Sequence, residues 1–529
     1  MRALLLGLIT SFALVAQGPR SDYSLSGTVV NSVTGEPVKA ALVSLRDNRG
    51  VTQSALTGVG GEYVFAGLPA VQCTLSAEKP GFLAGSPDPL SVSASLSNHT
   101  IELTPLGVIE GRVSNQSGDP LQGLGITFFE QYLEDGERRV RPGGTGTADD
   151  LGRFRLWDLK PGRYYVRVAG RPVSRVMVVV DGSLSGSEGL RPAYFGGGRT
   201  LESATPVTVE AGTDVRADFT LPMEPAYTIR GAVRNFQPGE YVELELLLSG
   251  SDIATGGVSW NGRTGTFEAY AIPSGQYTIR AKGQHSWGEA LLTVAGRDVN
   301  GVSVDLAPVA AVTGTVRVAA AAPGRTADGA GALLMGGRQP LGPFCNISLV
   351  GLGSEASHTP GGARVQGEGE FSIDGVSPGR YRVVIQSPNG YVASAVFGGS
   401  DLLANPEIVV QPGVSPPPIE IAVGPGGGSL LGKLAADAAR PGVGLLLVPQ
   451  FTPSTRPFLC PTFPDYGPAG NWEARCYNLA PGDYLAYAIP GIQSVEYRNP
   501  EFLGSLSGGT SVRIEDAKRA EIALTSVVK

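Results

Sequence analysis

One pattern recurs down this chain and constrains everything else about it. A glycine is followed two residues later by an aromatic, then by alternating apolar positions, a turn and, in four copies, a tyrosine. It reads GEYVFAGLPAVQC from Gly61, GRFRLWDLKPGRY from Gly152, GTFEAYAIPSGQY from Gly265, GEFSIDGVSPGRY from Gly369 and, two residues longer, GNWEARCYNLAPGDY from Gly470. The copies begin 91 to 113 residues apart. That is the size of a domain, far above the roughly 20 to 50 residues of a solenoid unit. Within a copy the period is two. Phe154 and Leu156 fall on one side and Arg153 and Arg155 on the other, and Tyr164, Val166 and Val168 resume the apolar side after Pro161-Gly162. This alternation predicts a hairpin with one buried face. Its turn reads as type II, with Pro161 presetting φ and Gly162 taking the positive one.

The aromatic slot holds Tyr63, Phe154, Phe267, Phe371 and Trp472, predicted to share one core position. The tyrosine slot holds Tyr164, Tyr277, Tyr381 and Tyr484; a tyrosine at such a corner buries its ring and hydrogen-bonds through its hydroxyl. In the first copy that slot is Cys73, read as a small core residue. Two further anchors flank each copy in fixed order. Upstream is an alternating opening strand with a central Gly27, Gly111, Gly231, Gly314 or Gly432; downstream is a closing strand carrying Glu102, Asp218, Asp305, Glu420 or Glu521. Five copies of three anchors, short strands and frequent turn signals predict an all-β chain of five tandem antiparallel, Ig-like β-sandwich domains. Their predicted bounds are 22–105, 106–224, 225–309, 310–424 and 425–529, after a signal peptide over 1–20.

The first copy carries SGTVVNSVTGEPVKAALVSL, TGVGGEYVFAGL and TLSAEKPGF. Over residues 25–82 it resembles the carboxypeptidase regulatory-like domain, a transthyretin-like sandwich grouped with carbohydrate-binding-like folds; the other four share mainly the hairpin and end strands. The resemblance implies an accessory module of exported or surface proteins, frequently bacterial, and implies carbohydrate or protein binding only by analogy of fold.

Export has its own support. Arg2 precedes an apolar run from Ala3 to Val15, followed by Ala16 and then Gln17-Gly18-Pro19, the layout of a secretory signal peptide. No later stretch approaches the ~18 apolar residues of a membrane span, so none is expected once the signal peptide is removed. A net charge of -7 with no basic block gives no footprint for nucleic acid. Of four cysteines, Cys460 and Cys476 are near enough in sequence to form a disulfide in an oxidising compartment, with a pair of buried free thiols as the alternative. The Pro-rich PGVSPPP and Gly-rich GPGGG predict an extended string of domains with limited bending.

Chemistry is thin. His99 and Glu102 have a zinc-like spacing, but Glu102 fills the closing-strand acidic slot that other copies fill without a histidine, and i and i+3 face opposite sides of a strand. His285 and His358 lie in other domains, so no zinc site with converging ligands is expected. No G-x-S-x-G elbow or phosphate loop occurs. Glu78 stands where a glutamate assists Lys–Asn cross-linking in similar surface repeats, but no copy assembles the full triad. We therefore read the chain as non-catalytic, with no cofactor. The remaining candidates are aromatic platforms for a sugar: Trp157, Tyr194, Phe195, Trp260, Tyr270 and Trp287, of which Trp157 and Tyr270 share the fifth position after the hairpin glycine and belong on the outer face. The alternative is that these rings cover junctions or loop cores. The expected partner is a carbohydrate or an envelope protein, the expected location secreted, periplasmic or cell-surface. A purely structural spacer and an accessory part of a hydrolase system are the competing readings.

Overall fold

Two-residue alternation translates into strands almost throughout. The computed structural model describes residues 23–524, apart from 86, 170–187, 238, 252, 256, 320–343, 353–359, 435–442, 452–456 and 465–471. The predicted signal peptide, most of the Ala/Gly-rich segment Ala319 to Arg338 and His358 lie outside the described residues. The chain falls into two compact units. One comprises Met1–Gly111, Arg155–Arg163 and Val207–Asp218, and the other Arg112–Phe154, Tyr164–Pro206 and Phe219–Lys529. The division passes through repeat two.

Each repeat is built around its opening strand: Tyr23–Asn31, Gly107–Ser114, Met223–Arg234, Ala310–Val318 and Gly428–Leu434. On one side lies the strand after the recurring glycine, antiparallel in repeats one, three, four and five. On the other lies the closing strand, which runs parallel to it in all five. Phe219–Thr220 in repeat two also runs parallel to the opening strand, and every other pairing within the sandwiches for which a direction is given is antiparallel. In repeats one, three, four and five this sheet faces a second one across a core of alternating inward residues, such as Leu25, Val29, Tyr63, Phe65, Cys73 and Leu75 in the first.

The predicted hairpin is not one. Glu62–Leu68 bonds to the opening strand, while Val71–Glu78 bonds to Leu42–Asp47 in the facing sheet. The same separation holds for Thr266–Pro273 and Gly275–Lys282, for Gly369–Val376 and Gly379–Gln386, and for Trp472–Leu479 and Gly482–Ile489. The Pro-Gly turn is thus a corner that carries the chain from one sheet to the other. Two strands on facing sheets aim their apolar positions into one core just as a hairpin would, so periodicity does not separate the cases. Nor is the turn type II, since Gly162, Gly275 and Gly379 have no positive φ. The corner tyrosines behave as expected: the hydroxyls of Tyr277, Tyr381 and Tyr484 each donate to the carbonyl four residues earlier, of Pro273, Ser377 and Ala480, at 2.8 Å. Each closes the corner with a buried hydrogen bond.

The opening glycine and the aromatic slot are partners across the sheet. Gly27 pairs with Tyr63, Gly231 with Phe267 and Gly314 with Phe371. A Cβ at Gly314 would lie 2.4 Å from the Phe371 ring and 2.3 Å from the Ile419 carbonyl oxygen. The ring occupies the space that a side chain would need. Repeat five departs from this. Its two extra residues put Ala474, not Trp472, opposite Gly432, and half-buried Trp472 pairs with Leu434 instead. The Leu445 side chain takes the space, 2.7 Å from where a Gly432 Cβ would be.

Repeat two carries a long two-stranded arm, Gly125–Glu134 with Glu137–Thr147. Asp135 (φ 50) and Gly136 (φ 71) make its tip, the two positive angles that a tight two-residue hairpin loop requires. Within the second unit the tip meets repeats four and five. Glu134 pairs with Arg382 at 3.1 Å, Arg139 with Glu407 at 3.6 Å and Arg498 with Glu137 at 3.9 Å, and Arg138 pairs with Glu496. The Arg498 amide donates to the Gly136 carbonyl at 3.2 Å, and Gly136 lies against the Tyr497 ring. Non-consecutive repeats are therefore joined here, contrary to the simple string expected from the linkers.

Gly314→Ala should destabilise repeat four by about 1–3 kcal/mol through overpacking, seen as an earlier transition in denaturant; an unchanged unfolding profile would refute the glycine–ring pairing. Burial pushes the Tyr277 hydroxyl up to about 12. A raised folded-state value contributes stability that is complete below the ordinary tyrosine range near 10 and is lost as pH climbs through 12. Absorbance at 295 nm should therefore show Tyr277 ionising only together with alkaline unfolding.

Candidate functional site

A β-bulge recurs at one place in the repeats. Where the strand after the recurring glycine approaches the corner, two of its residues oppose one of the opening strand: the register slips between Tyr23 and Leu25, Tyr227 and Ile229, Ala310 and Val312, and Gly428 and Leu430. The second bulge residue has positive φ: Gly67, Ala271, Gly375 and Asn478, with Asp158 (φ 60) in the matching place in repeat two. The bulge inserts one extra residue after an outward-facing position, so that two successive residues lie off the core before the strand turns inward again. The residue at that outward-facing position is Ala66, Trp157, Tyr270, Asp374 or Tyr477, and each points away from its core. One backbone device thus presents a different side chain in each repeat.

Trp157 is the most open of these rings, at 66% exposure. Beside it Arg155 reaches Glu110 at 3.4 Å and Asp214 at 3.7 Å. All four belong to the first unit and make a flat apolar ring next to donors and acceptors. In repeat three Tyr270 is half-buried and its hydroxyl donates to Glu268. Glu268 also pairs with Arg230, which reaches Asp298 at 3.4 Å. Tyr477, 62% exposed, was missed from sequence because the two extra residues of repeat five displace it when positions are counted from Gly470. Counting back from the corner, to the residue before Asn478, would have found it.

The other candidates do not join a platform. Tyr194 is 2% exposed and Trp287 is 9% exposed, so neither presents a face for a ligand to stack on. Tyr194 is sunk against Phe129, and Phe195, half-buried, packs edge-on against Phe219 at 5.8 Å. Half-buried Trp260 packs edge-on against Phe236 at 5.4 Å, at the margin of the repeat-three core. These four rings close loops and strand ends. The structure does not bring the six predicted residues together.

His99 contributes its carbonyl to the Tyr63 hydroxyl at 3.2 Å, and its Nε2 lies 3.1 Å from Asp88. Glu102 and Glu78 are exposed. Among the described residues no group of three His, Cys, Asp or Glu side chains is placed to hold a metal, and no helix is long and apolar enough to cross a membrane. Cys460 and Cys476 are buried and bonded, their Cα atoms 5.2 Å apart. The bond ties Phe458–Cys460 in one sheet of repeat five to Trp472–Leu479 in the other. Cys73 and Cys345 are buried free thiols, both pushed up by desolvation, Cys345 to about 11.

Sandwich repeats with a shared corner and a bulge-borne, variable residue define a modular β chain. Within it, residues 24–104 match the carboxypeptidase regulatory-like domain, so the first repeat is a module of that family. No curated protein matches the chain. Among solved structures it is similar to a minor pilin of Streptococcus agalactiae, at 14% identity over 38% of this chain and 97% of that one, with a TM-score of 0.23. It is also similar to the TIE protein of Bacillus anthracis, at 10% identity over 77% and 75%, TM-score 0.19, and to a shaft pilin of Lactobacillus rhamnosus GG, at 11% identity over 39% and 97%, TM-score 0.21. At these scores the likenesses carry no argument about function.

In the folded, unreduced chain at pH 8, a thiol reagent should label no cysteine, and unfolding without reductant should release two. Replacing Cys460 and Cys476 by serine should cost repeat five about 3 kcal/mol, the loop-closure value for so short a loop. Four reactive thiols on unfolding would contradict the bond.

Proposed function

We propose that this chain is an exported, non-catalytic binding protein of the bacterial envelope, and that repeat two takes a carbohydrate on the outer face of the sheet bearing Trp157. The single observation behind this reading is Trp157 itself: a large ring, 66% exposed, fixed on a rigid strand beside a bulge and flanked by Arg155, Glu110 and Asp214. A sugar ring has an apolar face that stacks on an indole, and its hydroxyls take the neighbouring charged groups as donors and acceptors. An indole left on the surface loses burial energy unless a partner covers it. The predicted signal peptide supplies the address.

A second reading has its own support. The arm of repeat two shows that the outer surfaces of repeats four and five accept a protein strand tip through ion pairs. A structural or assembly subunit with a protein partner would use the same kind of surface.

A glycan array separates the two. The full chain should bind a defined set of saccharides, and Trp157→Ala should lower that binding about tenfold or more while leaving the circular dichroism spectrum unchanged. A blank array together with a stable protein partner in pull-down would favour the assembly reading.

A further inference from the structure

We propose that repeats four and five, with the arm tip of repeat two, form a second ligand site whose occupant is a neutral saccharide. The inference rests on the reading of the chain as a carbohydrate-binding protein, but it does not rest on Trp157.

The cleft has a volume of about 550 Å³, within the roughly 300–1,000 Å³ of small-ligand sites. Two rings line it and are open to solvent: Tyr477, 62% exposed, and Phe458, 45% exposed. Three residues that line it also carry unpartnered donors: Nε of Arg382, Nε of Arg498 and Oγ of Ser387 are buried and make no hydrogen bond to any described residue. A buried donor left without a partner is destabilising, so a ligand that satisfies one gains that interaction. Asp135, exposed at the arm tip, lines the same cleft and supplies an acceptor.

Charge selects among ligands. Arg382 is already paired with Glu134 and Arg498 with Glu137, so the guanidinium charges are countered and what they still offer is an N–H each. An anionic ligand would meet Asp135 and the paired carboxylates without a free positive charge to offset them. A neutral hydroxylated ring does better. One hydroxyl accepts from an arginine Nε–H or the Ser387 hydroxyl while another donates to Asp135, and the apolar face of the sugar lies on Tyr477 or Phe458. Alternation through Ala474 and Cys476, both buried, leaves Tyr477 on the outer side of repeat five, where it lines this space.

The test uses the full chain on an array of neutral hexose and N-acetylhexosamine oligomers alongside uronic-acid and sulfated ones. We expect neutral oligomers to bind. Tyr477→Ala and Ser387→Ala should each weaken that binding about tenfold, and Trp157→Ala should leave a residual component that Tyr477→Ala removes. Tyr477 is exposed, so its loss leaves the fold intact, which circular dichroism checks; Phe458→Ala is the independent second variant. Loss of all binding in Trp157→Ala with wild-type binding in Tyr477→Ala, Phe458→Ala and Ser387→Ala would overturn the cleft site while sparing the reading of repeat two. Binding confined to acidic glycans would overturn the neutral-ligand assignment. A wholly blank array would overturn both readings.

Discussion

The sandwiches depend on a backbone approach that only glycine permits. In repeats three and four the ring tip of the paired aromatic, and in repeat one the Tyr63 hydroxyl, takes the place a side chain on the opening glycine would need, and the closing-strand backbone reaches the same point, with the Ile419 carbonyl oxygen 2.3 Å from where a Gly314 Cβ would stand. The ring replaces the missing side chain and restores the cross-strand contact that glycine would otherwise forfeit. It also holds the opening strand at the centre of its sheet, with antiparallel and parallel neighbours. Repeat five reaches the same density by another route, filling the gap with Leu445 from the facing sheet.

Much of this was legible in the sequence, and the limits have physical causes. The opening glycine, the aromatic and the tyrosine were each visible as recurring slots, because each is fixed by a steric or hydrogen-bonding demand that few residues meet. That the glycine and the ring are one device was not visible, since their pairing is set by register across 35 residues of intervening chain in repeats one and three and 56 in repeat four. The corner was misread as a hairpin for a similar reason. Burial dictates a period of two whether the next strand joins the same sheet or the opposite one, and only hydrogen-bond partners tell them apart. The arm of repeat two did carry a local signal, Asp135-Gly136 between alternating strands, which is among the strongest short-range marks of a hairpin. What no local signal carried was the destination of its tip.

The aromatic candidates show the same boundary. Tyr194, Trp260 and Trp287 stand near loops in sequence, where exposure is a fair expectation, yet long connections in a sandwich need apolar anchors of their own and these rings serve as them. Trp157 differs because alternation along its strand already places it on the outer face, and the bulge that follows shifts only the residues after it. The two extra residues of repeat five conceal Tyr477 until positions are counted back from the corner and not forward from the glycine.

A scaffold of this kind separates stability from recognition. The opening glycine, the aromatic slot and the corner tyrosine keep their residue type in most copies, whereas the residue displayed at the bulge runs through alanine, tryptophan, tyrosine, aspartate and tyrosine in Ala66, Trp157, Tyr270, Asp374 and Tyr477. Because that side chain points away from the core, changing it costs the fold little, and because the strand beneath it is hydrogen-bonded on a rigid sheet, little entropy is lost when it contacts a ligand. Not all five positions are equally available. Tyr270 spends its hydroxyl on Glu268, Ala66 offers no surface, and Asp374 is engaged with Ser372 at 2.6 Å. On the proposed reading, the two open rings, on repeats two and five, carry the recognition, one on an open face and the other at the rim of a cleft. A flat face favours the middle of a polymer and a cleft a single residue or an end, so the two would read different parts of the same kind of chain.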